Sequence, residues 1–157
     1  MFSRQGGLCN TPQTDQHGTI HTSGIGILTV EDLDTRTCGL RREKMYNGWD
    51  GVNELINMRD QVFHRNLDKI ALAPGVESPH TVKTAIVCPP AIYGPGRGTG
   101  NKRSTQLYVL ASTVLERGKA IKVGEGKYIW HTVHIYDLSE VYLELVEGEV
   151  AGDGVAA

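Results

Sequence analysis

Between Tyr93 and Arg103 the sequence reads YGPGRGTGNKR, four glycines and three cations in eleven positions. A glycine-rich turn after a strand can converge its backbone N–H groups on a phosphate, so the spacing decides whether this one does. A P-loop needs G-x-x-x-x-G-K-[ST]. Gly96 and Gly100 stand one residue too close, and Asn101 occupies the place of the lysine. A dinucleotide turn needs G-x-G-x-x-G, and after Gly94 and Gly96 the third position is Thr99. The run GIGILT at 24–29 has the first two glycines and likewise ends in threonine. On composition alone the loop is a connection, with Arg97, Lys102 and Arg103 supplying positive charge for a weaker phosphate-binding alternative.

Other side chains able to do chemistry are sparse. FHRNLDKI brings His64, Arg65 and Lys69 together, with Arg65 and Lys69 four apart on one helical face. Such a set is either a solvated face or, beside a cleft, an anion or ribose contact. His131 and His134 are three apart, which in a strand points them to opposite faces and away from a shared metal. Cys88, closing an apolar run, reads as a buried small hydrophobe, and Tyr46 and Trp49 as packing residues. The odd set Cys9, Cys38 and Cys88 has neither disulfide nor zinc spacing, so a reducing, cytoplasmic setting is expected.

These groups need elements to hold them. Residues 1–18 are polar and aperiodic and read as a disordered lead-in. TIHTSGIGIL (19–28) is β-branched and reads as a strand, and 31–48 as charged, irregular chain. Asp50 can cap a helix through WDGVNELINMRD. QVFHRNLDKIALA (61–73) is helical and should stop at Pro74-Gly75. VKTAIVC (82–88) is a strand covered on both faces. Ser104 can cap a helix whose Leu107, Leu110, Ala111, Val114 and Leu115 form a core stripe, with Gly118 closing it. AIKVGEGKYIWHTVHI reads as two strands about a Gly-Glu-Gly-Lys turn. Asp137-Leu-Ser-Glu140 is a capping box that opens a final helix, with 148–157 a flexible tail. Alternating strands and helices predict an α/β fold with a mainly parallel sheet. The length of 157 residues suits one domain, and a net charge of −2 at 39% hydrophobic residues gives no basis for nucleic-acid binding. No apolar run reaches membrane-span length.

Four pieces in order resemble the C-terminal part of extended short-chain dehydrogenase/reductases, the NAD(P)-dependent epimerase/dehydratase family. IHTSGIGIL is similar to the strand that ends in the family's serine-threonine segment, and HRNLDK to the helix of its Tyr-x-x-x-Lys pair. TAIVCPPAIYGPGRG is similar to its R-P-x-x-V/I-Y-G-P-G strand and loop, and WHTVHIYDLSEVYL to its V-H-V-x-D segment. Together they span roughly 19–147, and the wording is most similar to atypical members from filamentous fungi. The resemblance implies an incomplete Rossmann-like domain, doubly wound, lacking the N-terminal dinucleotide-binding βαβ unit.

It also implies roles. Lys69 is the ribose-contacting lysine, Pro89, Pro90, Ala91, Ile92 and Tyr93 lie along the nicotinamide and substrate side, and Ser23 is the hydroxyl nearest the substrate-orienting position. Arg65 stands where the family has tyrosine. An arginine stays protonated and cannot replace a phenol as general acid/base. His64 is then the nearest substitute, since an imidazole titrates near neutrality. The expected protein is an oxidoreductase- or epimerase-like one, truncated and catalytically impaired, using NAD or NADP on a small carbonyl or hydroxyl substrate. The alternative is a non-catalytic remnant or interaction module that forms a homo-oligomer or pairs with a full-length relative.

Overall fold

The computed structural model describes residues 17–151. Most of the expected lead-in and the end of the expected tail lie outside that range. The order is β1 (His17–Thr22), a short 3-10 helix (Ile25–Thr29), α1 (Val30–Thr35), α2 (Val52–Ile56), α3 (Arg65–Glu77), β2 (Val82–Val87), β3 (Ala91–Tyr93), α4 (Thr105–Arg117), β4 (Thr132–His134) and α5 (Ile135–Ala151). β1 pairs parallel with β2, Ile20 opposite Ala85, and β3 pairs parallel with β4, Ile92 opposite Val133. The fold is therefore α/β, an incomplete Rossmann-like arrangement built on two short parallel pairs.

Alternation along β1 sets the layers. His21 points toward α3, with Nε2 3.5 Å from Asp68 Oδ1. Gly18 and Thr22 point the other way, where Gly18 meets the Glu149 side chain and Thr22 hydrogen-bonds the Tyr142 hydroxyl of α5. Lys83 of β2 adds an ion pair to Glu149. Helices thus lie on both faces of the pair, the doubly wound arrangement.

Several elements depart from expectation for local reasons. The run 19–28 leaves the strand after Thr22 and turns into the 3-10 helix at Ile25, where Gly26 leaves room for the Phe63 ring to pack close. α1 forms within the charged stretch expected to be irregular. Asp32, buried there, accepts from Arg42 Nε at 2.8 Å, so tertiary pairing holds the short helix. α2 has Gly51 rather than Asp50 at its cap, while Asn47 Oδ1 accepts the backbone N–H groups of Trp49 and Asp50. α3 starts four residues late, after His64 in the left-handed region at φ 68°, and runs through Pro74 to Glu77. The proline falls in the last turn, where its missing N–H costs one bond, and Ser78 N–H still donates to the Pro74 carbonyl at 2.9 Å.

The C-terminal part departs further. α4 has Ser104 at its cap position and Gly118 closing it at φ 63°, as expected, but its apolar stripe is not buried: Leu107 and Leu110 are exposed and Leu115 is 80% exposed. The expected strand pair over 120–135 is reduced to β4. Its turn docks instead on the 37–40 loop, Lys127 N–H donating to the Gly39 carbonyl at 2.9 Å. α5 begins at Ile135, so Asp137 lies inside its first turn rather than at the cap. Trp49 and Cys88, expected inside, are exposed. Among the described residues the buried apolar side chains are Ile27, Val62, Pro89, Ala91 and Leu138, a thin core. No helix among them is long and apolar enough to cross a membrane.

Candidate functional site

The carboxyl ends of β1 and β2 lie side by side because the two strands are parallel and in register. The chain past β1 stays clamped to the β2–β3 connection. Ser23 N–H donates to the Val87 carbonyl at 2.8 Å and Ile25 N–H to the Pro89 carbonyl at 3.1 Å. Beyond these strand ends opens a cavity of about 590 Å³. Its walls bring Thr22 and Ser23 together with Pro89, Pro90 and Ile92, the glycine loop, and the start of α4. This is the place where parallel α/β sheets receive ligands, since the strand ends and following loops leave a crevice there.

Of the residues singled out from sequence, Ser23, Pro89, Pro90 and Ile92 line the cavity. Ala91 is buried in β3, and Tyr93 faces outward with its ring edge-on to His134 at 5.1 Å between centroids. His64 lies just outside the wall, its ring packed against Gly24, the neighbour of Ser23. Lys69 forms an exposed ion pair with Asp60, which holds the Asp60 carboxyl below its usual range. Arg65 is only 4% exposed and turns away from the strand ends. Its guanidinium donates to the Ile56 and Met58 carbonyls past the end of α2.

Ser23 Oγ is buried and has no hydrogen-bond partner. The Cys88 thiol is its neighbour. Burial pushes the Cys88 thiol up, the Asp68 charge adds to that, and the Ser23 hydroxyl and Gly24 backbone oppose it. An unpaired hydroxyl in a cavity wall costs free energy unless a ligand engages it. At the far end of the cavity Ser104 Oγ is likewise buried and unpartnered, at the opening of α4. Lys102 and Arg103 stand beside it and no acidic residue lines the wall, so this end is electropositive.

Sequence reasoning missed the basic end as part of one cavity with Ser23, since Asn101–Gln106 lie far from it along the chain. It also missed Asp68, 2% exposed beneath the strand ends beside His21. The helical spacing of Arg65 and Asp68 was a signal that both share the inward face of α3. Among the described residues no cluster of histidine, cysteine and carboxylate side chains has the makings of a metal centre.

No protein-family model matches the chain, and no solved structure matches it. The chain is 36% identical over 135 residues to a protein named Oxidase ucsJ from Acremonium sp, a match covering 85% of this chain. It spans 39% of the length of that curated relative. The chain is thus related by sequence to a protein named as an oxidase.

Proposed function

We propose that the chain forms the substrate side of an oxidoreductase- or epimerase-like protein that works with NAD or NADP on a small carbonyl or hydroxyl substrate. The observation that carries this reading is Ser23 Oγ, buried without a partner at the carboxyl end of β1 in the wall of a ligand-sized cavity. The relative's name supports oxidoreductase chemistry.

The cofactor fit is confined to one end. Pro89, Pro90 and Ile92 offer an apolar wall for a nicotinamide ring, which supplies hydride transfer when bound. Neither glycine run has the spacing that cradles a pyrophosphate. On this reading Ser23 orients the substrate oxygen by a hydrogen bond. His64, packed on Gly24 beside Ser23, is the imidazole that exchanges its proton. Lys102 and Arg103 suit an anionic substituent at the other end. Activity is impaired because Arg65 and Lys69, where the resemblance puts the acid/base pair, are engaged with α2 and Asp60.

Fluorescence titration with NADH and NADPH tests the reading. Saturable binding weakened by Ser23→Ala is expected, and no binding at millimolar cofactor would overturn it for this chain alone.

A second reading has its own support. The exposed stripe of α4 and the thin core fit a non-catalytic module that covers these faces by pairing with a longer relative. Size exclusion with light scattering separates the two, because a clean, stable monomer counts against the module.

A further inference from the structure

We propose that His134 is a proton-controlled latch that holds the glycine loop over the cavity. His134 ends β4, opposite Tyr93 of β3, and its Nδ1 accepts the backbone N–H of Tyr136 at 3.2 Å. The imidazole therefore does at the start of α5 what a serine or aspartate side chain does at other helix starts. Tyr93 and Tyr136 both meet the ring edge-on, with centroids 5.1 and 4.7 Å away. On Tyr136 rests the guanidinium of Arg97, 3.9 Å from the ring centroid.

This ladder is what ties the loop to the body. Gly94 takes φ +99° with the His134 ring filling the space of a side chain: a Cβ there would stand 2.5 Å from Nε2. Gly94 under the imidazole and Arg97 on Tyr136 are thus two tethers. The loop also closes on itself, Gly96 N–H donating to the Lys102 carbonyl at 3.2 Å and Arg103 N–H to Asn101 Oδ1 at 3.1 Å. Gly94, Gly96, Asn101, Lys102 and Arg103 form one wall of the cavity. Whatever holds the ladder therefore holds the wall.

The latch works in one protonation state. Nδ1 can accept from Tyr136 only when the ring is neutral with its hydrogen on Nε2. A second proton places N–H against N–H and sets a cation at the positive end of α5, on the side where Arg97 already lies. Asp137, in the first turn of α5, is the nearby acid in sequence. Among the described residues no carboxylate lies within ion-pair distance of His134, so nothing there offsets the new charge. Protonation breaks the cap, loosens Tyr136 and frees Arg97. The inference needs the cavity and its wall, not the identity of what binds there, so it survives failure of the cofactor reading.

Hydrogen exchange with mass spectrometry on the intact chain tests it, comparing about pH 8 with about pH 5.5 after correction for intrinsic exchange. Peptides covering 94–103 and the first turn of α5 should exchange about tenfold faster at the lower pH, with β1 and β2 unchanged. His134→Asn keeps an acceptor where Nδ1 stands and cannot be protonated, so it should abolish the pH response. Arg97→Ala, on an exposed side chain, should leave the loop fast at both pH values even if the first variant fails to fold. A pH-independent loop in the unmodified protein, an undiminished response in His134→Asn, or a loop in Arg97→Ala as slow as in the unmodified protein would overturn the latch.

Discussion

Arg65 donates its guanidinium to the backbone carbonyl of Ile56, so the residue opening α3 closes the end of α2. A cation is well placed there, since helix-end carbonyls lack intrahelical partners and carry the negative end of the dipole. Removing this side chain, itself 4% exposed, leaves the part-buried Ile56 and Met58 carbonyls without their charged donor. Hydrogen bonds to charged groups contribute about 1.5–3 kcal/mol, so Arg65→Ala should lose about 2–3 kcal/mol in urea unfolding. Arg65→Tyr should lose about as much, because one phenol cannot serve the Ile56 and Met58 carbonyls together.

Gly39 and Gly98 make a paired test of backbone packing. Gly39 takes φ +91° and faces the Val123 carbonyl, where a Cβ would sit 2.1 Å from the oxygen. Gly98 has nothing within 4 Å. Gly39→Ala meets both a left-handed backbone and a rigid neighbour and should cost more than about 1 kcal/mol. Gly98→Ala should stay within about 0.5 kcal/mol of the parent. Thermal unfolding of the two variants side by side checks this, and equal melting temperatures would refute the close approach.

The alternation of elements was legible because β-branched runs and helical periods are local signals. β2, the Ser104–Gly118 helix and the strand-to-helix step at His134 all follow from them, whereas β3 was not foreseen. Tertiary decisions were not legible. Asp32 and Arg42 hold α1 in a stretch whose local pattern shows none, and Lys127 pairs with Gly39 rather than with a hairpin partner. In the site, Ser23 and the proline pair could be placed at strand ends. Lys69 could not be assigned its partner, because a pairing with Asp60 nine residues earlier leaves no helical spacing to read.

Acid should weaken the Asp60–Lys69 link with a definite sign. The ammonium hydrogen-bonds Asp60 and holds its carboxyl below the ordinary range. A depressed folded value means the contribution is complete above the unfolded carboxylate's titration, near about 3.9, and is lost as pH falls through the folded one. Both side chains are exposed, so salt should screen the pair. Asp60→Asn should therefore flatten part of the acid limb of melting temperature against pH. An unchanged acid limb in that variant would show that the pair contributes nothing.

Cys88 should be a slow thiol despite its exposure. Burial of its sulfur is the largest influence and raises its titration, so less thiolate is present at neutral pH. Alkylation by iodoacetamide should accelerate at higher pH than for an ordinary cysteine. Asp68→Asn, which removes the neighbouring charge that also raises it, should shift that profile downward. Rapid modification of Cys88 at pH 7 would contradict the assignment.

Ser23→Ala separates binding from folding at the same atom. The hydroxyl is buried in the cavity wall without a partner, and leaving a polar group so placed costs about 1–3 kcal/mol. Removing it should leave the melting temperature unchanged or raise it by a few degrees. A side chain kept for the fold would do the reverse. If the hydroxyl instead waits for a substrate or nicotinamide oxygen, the same substitution should weaken NADH or NADPH binding by about fivefold to tenfold, the worth of one hydrogen bond. Stability and affinity thus move in opposite directions for a binding hydroxyl. A variant that loses stability while binding cofactor normally would assign Ser23 to the fold and remove it from the site.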